Sequence, residues 1–490
     1  MFHRVTQGVF RRLIDQGRFF FAISIAALLS ACALGPDYVR PELELGEHYK
    51  EAAEGWVLAD PADDVLRSDW WLAYNDAELN QLMNDMLAAN QSLAQAEARY
   101  REALALLRSS QAAAWPTVGT SASATRSSSG SGRRDLEARS FSTQLVLDGS
   151  VSWEPDLWGK IRRSVESSTA QAEASQAELA NTRLSLQSML AQNYFRLRGL
   201  DEEIALYDKT LQAYQRSLEM TENRYNVGVA PQVDVSLAKN QYQNALTQKI
   251  ALERQRAQIE HAIAVLLGRA PVNLEIQPAK LKAQLPSIPL GLPSQLLERR
   301  PDIASAERRT EAANAQIGVA QAAWFPDLIL NAQAGYRGEQ LAHWLSAPFH
   351  FWSLGPRLAL TLFDGGARQA RLDQTRAAYD AQVAEYRQVV LSALREVEDY
   401  LLEVHSLGQE AESQALALEA ARDALQHTLN QYEAGFIDYL SVVQTEASAL
   451  SAERAALSLH AARLIASVQL IAALGGGWEG LLDTELDSVN

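Results

Sequence analysis

Cysteine is nearly absent from this chain of 490 residues, which holds a single one, Cys32. One cysteine excludes an internal disulfide framework and any metal site built from several thiolates. Basic residues are also few, since 44 Lys and Arg face 60 Asp and Glu, for a formal net charge of −16. Nucleic acid is therefore not an expected partner. Apolar residues make up 47% and charged residues 21%, proportions that argue against a helical multispanning membrane protein.

Catalytic signatures are missing as well. The sequence contains no Walker A motif, no HExxH and no nucleophile elbow, and its eight histidines are scattered singly. Gly475-x-Gly477-x-x-Gly480 has dinucleotide-binding spacing, but it follows a predicted helix instead of a strand, so the match is attributed to chance. We therefore expect no enzymatic activity, no cofactor and no metal site.

The first 31 residues have the layout of a secretory signal. Four arginines precede the apolar run from Phe19 to Leu29, and the small residues Ser30 and Ala31 follow it. The run is too short for the roughly 20 residues of a spanning helix. A buried core helix is the alternative, and it is disfavoured because the run is basic at its start and lacks helical patterning.

Leu29-Ser30-Ala31-Cys32 resembles the bacterial lipobox. The resemblance implies that Cys32 becomes the first residue of the mature chain and carries a diacylglycerol thioether and an N-linked acyl chain such as palmitate. Several acyl chains on one residue give stable membrane anchoring. Residue 33 is Ala33, where lipoproteins retained at the inner membrane carry aspartate, so the resemblance implies the outer membrane.

The remainder of the chain contains an internal repeat. Tyr225-Asn226-Val227-Gly228 is echoed by Tyr432-Glu433-Ala434-Gly435, a displacement of 207 residues, and further pairs recur in the same order. We predict a first repeat over 32–270, a proline-rich equatorial linker over 271–293, a second repeat over 294–475 and a C-terminal tail over 476–490. Proline breaks helices, so the linker is expected to be irregular.

Each repeat is predicted to contain a long helix and a return helix, at 157–226 and 233–267 in the first and at 364–433 and 438–474 in the second. No proline occurs from Leu157 to Ala230 or after Pro356, and apolar residues recur at helical spacing. Such a helix, on the order of 100 Å long, must pack against other long helices. A soluble coiled-coil rod would satisfy these observations too.

Two segments, 116–154 and 326–363, are predicted to be β-hairpins, because larger or apolar residues alternate with small or polar ones. Aromatic residues stand near their ends, and we predict an interfacial aromatic belt that includes Trp153, Trp158, Trp344 and Trp352. Transmembrane strands have this length, alternation and aromatic placement. Soluble hairpins packed on helices are the alternative.

Four strands cannot close a barrel, and open sheet edges are not tolerated in lipid. If these hairpins span a membrane, several copies must pool their strands. The predicted fold is therefore mainly α with a membrane β component, in an obligate oligomer whose long helices form a tunnel.

The constellation resembles the TolC-like outer-membrane efflux channels, in particular the NodT-type lipoprotein branch. The resemblance rests on motifs spread over nearly the whole mature chain: Gly35-Pro-Asp-Tyr38, the Tyr-x-x-Gly turns at Tyr225 and Tyr432, Leu296-Leu-Glu-Arg-Arg-Pro-Asp-Ile303, and Ala473-Leu-Gly-Gly-Gly-Trp478. It implies a homotrimer with a shared twelve-stranded β-barrel, four strands from each copy, above a trimeric α-barrel tunnel. It also implies a passive exit duct for drugs and toxic compounds. The implied partners are a periplasmic adaptor and an inner-membrane RND-type pump.

The resemblance further implies that the two helix-turn-helix tips form the periplasmic mouth and contact the adaptor. The corresponding residues are Tyr225, Gly228, Pro231 and Asp234 in the first tip, and Tyr432, Gly435 and Ser441 in the second. Gly228 and Gly435 are also expected to have a plain structural role, because a helix reversal needs a positive backbone angle.

The acidic residues that often close the mouth in this family are replaced here by Ser441 and Gln444. The residues that gate the mouth are therefore not assigned. Apolar residues near the tips either narrow the mouth or simply pack, and packing is the preferred alternative: Val235, Leu440, Val442 and Val443.

The family signature Arg299-Arg300-Pro301-Asp302 is expected to be structural, because Pro301 suits the start of a helix and Asp302 in its first turn complements the helix dipole. Direct contact with substrate is the alternative. Three function classes remain at this point: a trimeric export channel, a soluble coiled-coil scaffold, and a lipid-anchored assembly factor without a pore.

Overall fold

The computed structural model describes residues 33–43, 46, 49–51, 69–130, 139–286, 288, 299–339 and 345–476. The predicted signal segment, Cys32, Trp344 and the tail beyond Gly476 lie outside the described residues.

The described chain is mainly helical, with one small antiparallel sheet, which confirms the predicted fold class. From the first half come α1 (Ala77–Ala89), α2 (Gln91–Ala112), β1 (Thr117–Gly130), β2 (Arg139–Trp153), α3 (Lys160–Asn226) and α4 (Gln232–Leu266). From the second half come α5 (Pro301–Ala322), β3 (Asp327–Gly338), β4 (His350–Ala359), α6 (Ala367–Glu433) and α7 (Tyr439–Ala473). The helices α3 and α6 have 67 residues each, and α4 and α7 have 35 each.

Both long helices begin three residues later than the sequence analysis predicts, at residues 160 and 367 instead of 157 and 364. An aspartate sets each start. The carboxylate of Asp156 accepts from the backbone N–H of Ile161 at 3.0 Å and of Arg162 at 2.9 Å. Asp364 accepts from the N–H of Arg368 at 3.2 Å. These bonds satisfy N–H groups of the first turn, which have no partner inside the helix.

The linker contains a short 3₁₀ turn, Pro271–Asn273, and irregular chain over 274–286. The linker residues 287 and 289–293 lie outside the described part of the chain.

The chain divides into two compact units. The first, called the sheet unit, holds the described residues up to Glu42 together with Tyr100–Ser175 and Ala306–Tyr386. The second, called the helical unit, holds the described residues of Leu43–Arg99, of Gln176–Ser305 and from Arg387 onwards.

The sheet unit contains all four described strands, in the order β1-β2-β3-β4 with every pair antiparallel. The register places Val118, Val151, Ala332 and Leu354 in one row across the sheet. Because consecutive residues of a strand point to opposite faces, this row defines which residues share a face.

Small side chains join the helical segments of the sheet unit. The hydroxyl groups of Ser110 and Ser168 lie 2.7 Å apart between α2 and α3, and Ser167 donates to the carbonyl of Ala312 in α5 at 3.0 Å. Serine and alanine at these positions let the helix backbones approach closely.

In the helical unit, the apolar stripe of α3 packs on α4. Leu200, Tyr207 and Tyr214 are buried in one cluster with Ala245 and Leu252. The helical spacing seen in the sequence is therefore the packing face of this helix pair.

An aromatic core lies at the start of the helical unit. Trp70, Trp71 and Tyr74, on a 3₁₀ turn (Trp70–Tyr74), are buried. The ring of Tyr74 lies 4.9 Å from that of Phe195, and its hydroxyl lies 2.8 Å from that of Ser467.

Among the described helices, α7 alone is long and apolar enough to cross a bilayer by length and composition. Its polar contacts are those of a packed helix, because Arg454 forms an ion pair with Glu203 at 2.6 Å and Ser467 contacts Tyr74.

Candidate functional site at the helical turns and the sheet

The first helical turn, between α3 and α4, is closed by Gly228. Its backbone has φ +80°, and its N–H donates to the carbonyl of Tyr225 at 2.9 Å. Val229 donates to the carbonyl of Arg224 at 2.8 Å. A Cβ on Gly228 would meet no atom within 4 Å, so the positive backbone angle alone favours glycine here.

The second turn, between α6 and α7, repeats this geometry. Gly435 also has φ +80° and donates to the carbonyl of Tyr432 at 3.0 Å. Asp438 then caps α7, because its carboxylate accepts from the N–H of Ser441 at 3.1 Å and from the Ser441 hydroxyl at 2.6 Å. Ser441, which the sequence analysis assigned to adaptor contact, is thus engaged in the cap.

An aromatic contact connects the two turns. The guanidinium of Arg224, at the end of α3, lies 4.8 Å from the ring centroid of Tyr432, at the end of α6. The ring of Tyr432 lies 5.6 Å from that of Tyr439, and both are buried with Ala238 and Val442. A cation placed over an aromatic face is stabilised by the quadrupole of the ring.

The two aspartates at the turns have shifted pKa values of opposite sign. Partial burial, followed by the nearby charge of Asp438, raises the pKa of Asp234, and Arg224 opposes that rise. The hydroxyl and N–H of Ser441 lower the pKa of Asp438.

Apolar side chains around both turns are exposed. Phe436 is 81% exposed and Val227 is 75% exposed, and three further apolar residues near the turns are also exposed. We call this set the turn surface: Val227, Val229, Val233, Phe436 and Leu440. Tyr225 and Pro231 are exposed beside it.

The four apolar residues considered for narrowing the mouth do not share one environment. Val442 is buried against Tyr439, and Val443 packs partly buried against the same cluster, so packing accounts for both. Val235 is half-buried, while Leu440 is exposed. Gln444, at one of the positions that are often acidic in the family, is exposed.

The sheet has one apolar and one polar face. The register places these residues on the apolar face: Val118 of β1, Leu147, Val151 and Trp153 of β2, Leu328 and Leu330 of β3, and Trp352, Leu354 and Leu358 of β4. Leu354 is 75% exposed and Trp352 is 73% exposed, although both are large and apolar. A soluble sheet would cover such a face with another layer.

The opposite face is mostly polar, with these members: Ser121, Ser123, Asp148, Ser150, Asn331, Gln333, Ser353 and Arg357. On it, Asp148 accepts from the hydroxyl of Ser121 at 2.7 Å and from the amide of Gln333 at 2.9 Å. Among the described strands, β1 and β4 each pair along one edge only.

The predicted belt residues have three different environments. Trp153 donates from Nε1 to the carbonyl of Ala114 at 2.9 Å and remains partly exposed. Trp158 is half-buried and donates from Nε1 to the carbonyl of Pro326 at 2.8 Å. Trp352 lies on the apolar face, and Trp344 lies outside the described residues.

The signature arginine Arg300 is buried and joins two helix ends. Its Nη1 donates to the carbonyl of Ala473, the last residue of α7, at 3.1 Å. Its other donors reach Asp302 at 2.7 Å and Glu396 at 2.9 Å. Asp302 also accepts from the N–H of Ile303 at 2.9 Å, at the start of α5. The contacts of Arg300 and Asp302 are those of a structural clamp.

A family profile matches most of the chain. The profile describes outer membrane efflux proteins and covers residues 82–269 and 292–476. The chain belongs to this outer membrane efflux protein family. It is an outer-membrane efflux channel, with the mainly helical fold and small sheet of that family.

Individual relatives resemble this efflux protein over nearly their whole length. The toluene efflux pump outer membrane protein TtgF of Pseudomonas putida is 30% identical over 96% of this chain and 99% of its own. The cation efflux system protein CusC of Escherichia coli is 28% identical over 93% of this chain and 98% of its own. The solved outer-membrane channel OprN is 32% identical, with a TM-score of 0.83 over 91% of this chain and 100% of its own.

Three residues at the turns of this efflux protein were not singled out from the sequence, although the last two lie within the predicted second tip: Arg224, Phe436 and Asp438. An aspartate directly before the apolar pair Tyr439-Leu440 is a helix-start signal that could have identified Asp438. Arg224 has no such signal, because its aromatic partner lies on another helix. In the described part of the chain, no group of three or more His, Cys, Asp or Glu could hold a metal ion.

Proposed function

We propose that three copies of this efflux protein share one β-barrel in the outer membrane and that this barrel is a passive exit duct. The observation that carries the proposal is the four-stranded sheet with one apolar face, one polar face and two edges that no other described strand pairs with. Unpaired backbone groups in lipid cost several kcal/mol each, so the edges must pair with other copies. Joining β4 of one copy to β1 of the next closes the sheet with the apolar faces outward.

The long helices of the same three copies line a tunnel on the periplasmic side. Helices of 67 residues cannot bury themselves within one compact domain, and neighbours from the same trimer supply the missing contacts. Homotrimer formation and tunnel formation are thus one event.

The turn surface is the docking site for a periplasmic adaptor, which connects the duct to an inner-membrane RND-type pump. Exposed apolar side chains on a helix end favour a protein partner. The relatives are named as parts of efflux pumps, which supports partners of this kind. The duct itself carries out no chemistry, and the pump supplies the energy.

Cys32 is lipidated and anchors the chain to the outer membrane. The lipobox-like sequence and the position of Cys32 directly after a signal segment support this anchor. The cargo is small molecules such as drugs or toxic compounds. Relatives of similar identity are named for toluene and for cations, so the overall similarity favours no single cargo.

Planar-bilayer conductance and light-scattering mass of the detergent-purified mature protein test the shared barrel. We expect a trimer with discrete conductance steps. A monomer that leaves the membrane without detergent would indicate a soluble scaffold. A detergent-requiring monomer without conductance would indicate an anchored assembly factor.

A charge at the turn surface tests adaptor docking separately. Phe436→Asp should abolish drug export in cells and leave the yield of trimer in the outer membrane unchanged, because Phe436 belongs to no strand of the sheet. Leu416→Asp, at an exposed apolar residue within α6 and away from the turns, is the matched control and should retain export. Equal export by both variants would refute the docking site.

A further inference from the structure

Each hairpin of the sheet carries an arginine stacked on a phenylalanine near its connecting loop. The guanidinium of Arg126 in β1 lies 5.0 Å from the ring centroid of Phe141 in β2. In the other hairpin, the guanidinium of Arg337 in β3 lies 4.7 Å from the ring centroid of Phe351 in β4. Both cations are stabilised by the face of an aromatic ring. The two pairs therefore have the same chemistry, and one can serve as the reference for the other.

The register places the two pairs on opposite faces of the sheet. Arg126 is an even number of residues from Val118 in the same strand, so it shares the apolar face, and Phe141 lies on that face beside it. Arg337 and Phe351 belong to the other alternating series and share the polar face. In the proposed barrel, the first pair faces lipid and the second faces the duct.

Arg126 is a charge on an otherwise uncharged surface. Among the apolar-face strand residues whose side chains the structure describes, it is the only Asp, Glu, Lys or Arg. Arg126 and Phe141 are both exposed, and no described carboxylate forms an ion pair with Arg126. Guanidinium groups bind phosphate and carboxylate strongly, so this cation favours an anionic ligand from the surroundings of the protein.

This pair lies at the outer end of the sheet. At one end the strands continue into the helices, which lie on the proposed periplasmic side. The connections 131–138 and 339–349 join the strands at the other end, which therefore points to the outer surface. Trp153 is partly exposed at the helix end, where aromatic residues mark one membrane interface.

The height of Arg126 matches the second interface. It stands nine residues beyond Thr117, the first residue of β1 at the helix end. At about 3.3 Å per residue and a strand tilt of about 40°, these residues climb roughly 23 Å, and the apolar band of a membrane barrel is about 25 Å tall. A lipid-facing arginine is tolerated far better at this level than at the bilayer midplane. Arg126 is therefore level with the headgroups of the outer leaflet.

The neighbours of Arg126 on the apolar face suit a lipid. Thr143 lies directly opposite Arg126, and Ser128 lies two residues further along β1, so two hydroxyl groups flank the guanidinium. Hydroxyl groups donate hydrogen bonds to phosphate oxygens. Towards the membrane, β1 continues on this face with Ala124 and Ala122, both exposed, whose small side chains leave room for an acyl chain.

We propose that Arg126, with the hydroxyl groups of Ser128 and Thr143, binds the phosphate of an outer-leaflet lipid whose acyl chains lie along β1. A free phosphate ion would gain nothing from the apolar surface beside Arg126, so this surface favours a lipid. The inference rests on the proposed trimeric barrel, which sets the lipid-facing side.

Native mass spectrometry of the detergent-purified trimer, titrated with lipid A, measures this binding. Lipid A is the phosphorylated glycolipid of the outer leaflet. We expect Arg126→Gln to raise the Kd about tenfold, because hydrogen bonds to a charged group are lost. Arg126→Lys keeps the charge but not the fork of donors and should raise the Kd about threefold.

Arg337→Gln is the matched control, because it removes the same kind of stacked cation from the polar face. Its Kd for lipid A should equal that of the parent protein. An unchanged Kd for Arg126→Gln, or an equal loss in Arg126→Gln and Arg337→Gln, would overturn the lipid site.

A second variant leaves the stacked pair intact. Ser128→Ala combined with Thr143→Val removes both hydroxyl groups and should raise the Kd about threefold, through the loss of hydrogen bonds to phosphate. If Arg126→Gln fails to assemble, an unchanged Kd in this double variant still refutes the site.

Two further probes identify the ligand in the parent protein. Lipid A stripped of its phosphates should bind about tenfold more weakly, and equal binding would contradict phosphate recognition. Inorganic phosphate at millimolar concentration should not displace lipid A. Complete displacement would assign the site to free phosphate and overturn the lipid as its occupant.

The same spectra separate this inference from the proposed function. A monomeric parent protein would refute the shared barrel itself. A parent trimer that binds lipid A independently of Arg126 would refute the lipid site and leave the barrel standing.

Discussion

Asn90 and Arg300, which stand 210 residues apart, each bind the last carbonyl of a return helix. Asn90 donates from Nδ2 to Leu266 at the end of α4, at 2.7 Å, and Arg300 donates from Nη1 to Ala473 at the end of α7, at 3.1 Å. Asn90 also caps α2 through the N–H of Leu93 at 2.9 Å. In the second half Asp302, within the first turn of α5, accepts from the N–H of Ile303 at 2.9 Å, so two residues there share what Asn90 does alone.

This division of roles predicts unequal costs of substitution. Asn90→Ala removes two neutral hydrogen bonds and should destabilise the fold by about 1–2 kcal/mol. Arg300→Met leaves Asp302 and Glu396 without their cation, but both are partly exposed, so we expect about 2–3 kcal/mol. The denaturation midpoint in detergent measures the loss of stability in each variant. Arg196→Met, at an exposed arginine of α3, should cost little, and a comparable cost there would contradict the clamp.

Asp201 holds the linker against α3. Its buried carboxylate accepts from Arg198 at 2.7 Å, from Arg256 at 2.6 Å and from the N–H of Ala279 at 3.2 Å. Asp201→Asn removes the charge that Arg198 and Arg256 share. Each arginine keeps a second carboxylate, Glu78 or Glu260, so we expect a cost at or below the low end of the roughly 3–5 kcal/mol for a buried charge that loses its only partner.

The rate of trypsin cleavage measures release of the linker from α3, because trypsin cuts at lysine and Lys280 and Lys282 lie in the linker. Cleavage there should accelerate strongly in Asp201→Asn and stay slow in Asp208→Asn, which alters an exposed pair with Lys249 on the same helix pair. Equal cleavage rates would show that the linker is held by other contacts.

The two faces of β4 should differ in their tolerance of charge. Leu354→Arg places a cation on the apolar face, where lipid makes it cost about 2–4 kcal/mol near the middle of the bilayer. Ser353→Arg places the same charge on the polar face and should assemble normally. The amount of trimer in the outer membrane measures the assembly of both variants. A lower yield for Ser353→Arg than for Leu354→Arg would mean that the lipid-facing side has been misassigned.

Asp234 should make the turns less stable as the pH rises. Its pKa is raised in the folded state, so the fold binds more protons than the unfolded chain, and stability falls between the unfolded value of about 3.9 and the raised value. Above that window the penalty is complete.

Asp234→Asn removes this penalty, so the variant should be more stable than the parent at pH 7 and have a flatter profile through the window. Hydrogen exchange of the backbone amides at the turns, followed as a function of pH, measures this difference in stability. Asp423→Asn, at an exposed aspartate of α6 ten residues before the end of that helix, is the control. A variant less stable than the parent at pH 7 would mean that the charge of Asp234 stabilises the turns.

The arrangement of the helices and the strand pattern were predictable from the sequence because they depend on neighbouring residues. The proline-free stretches gave helix ends within three residues of those observed, and the deviation at both long helices comes from the capping aspartates Asp156 and Asp364. The stripe from Leu200 to Tyr214 also packs as its spacing predicts. At the turns, the glycines were predictable because a helix reversal demands their backbone angle.

What the sequence by itself determined is therefore local: a signal-like start, helix and strand lengths, the alternation of the two sheet faces and the turn glycines. Only the tertiary structure decided which polar side chains meet. Arg163 and Leu34 are 129 positions apart, Arg300 and Ala473 are 173 apart, and Arg224 meets Tyr432 on another helix. No local pattern encodes such pairs. The partner of each buried donor is set by the packing of segments that lie far apart in the sequence.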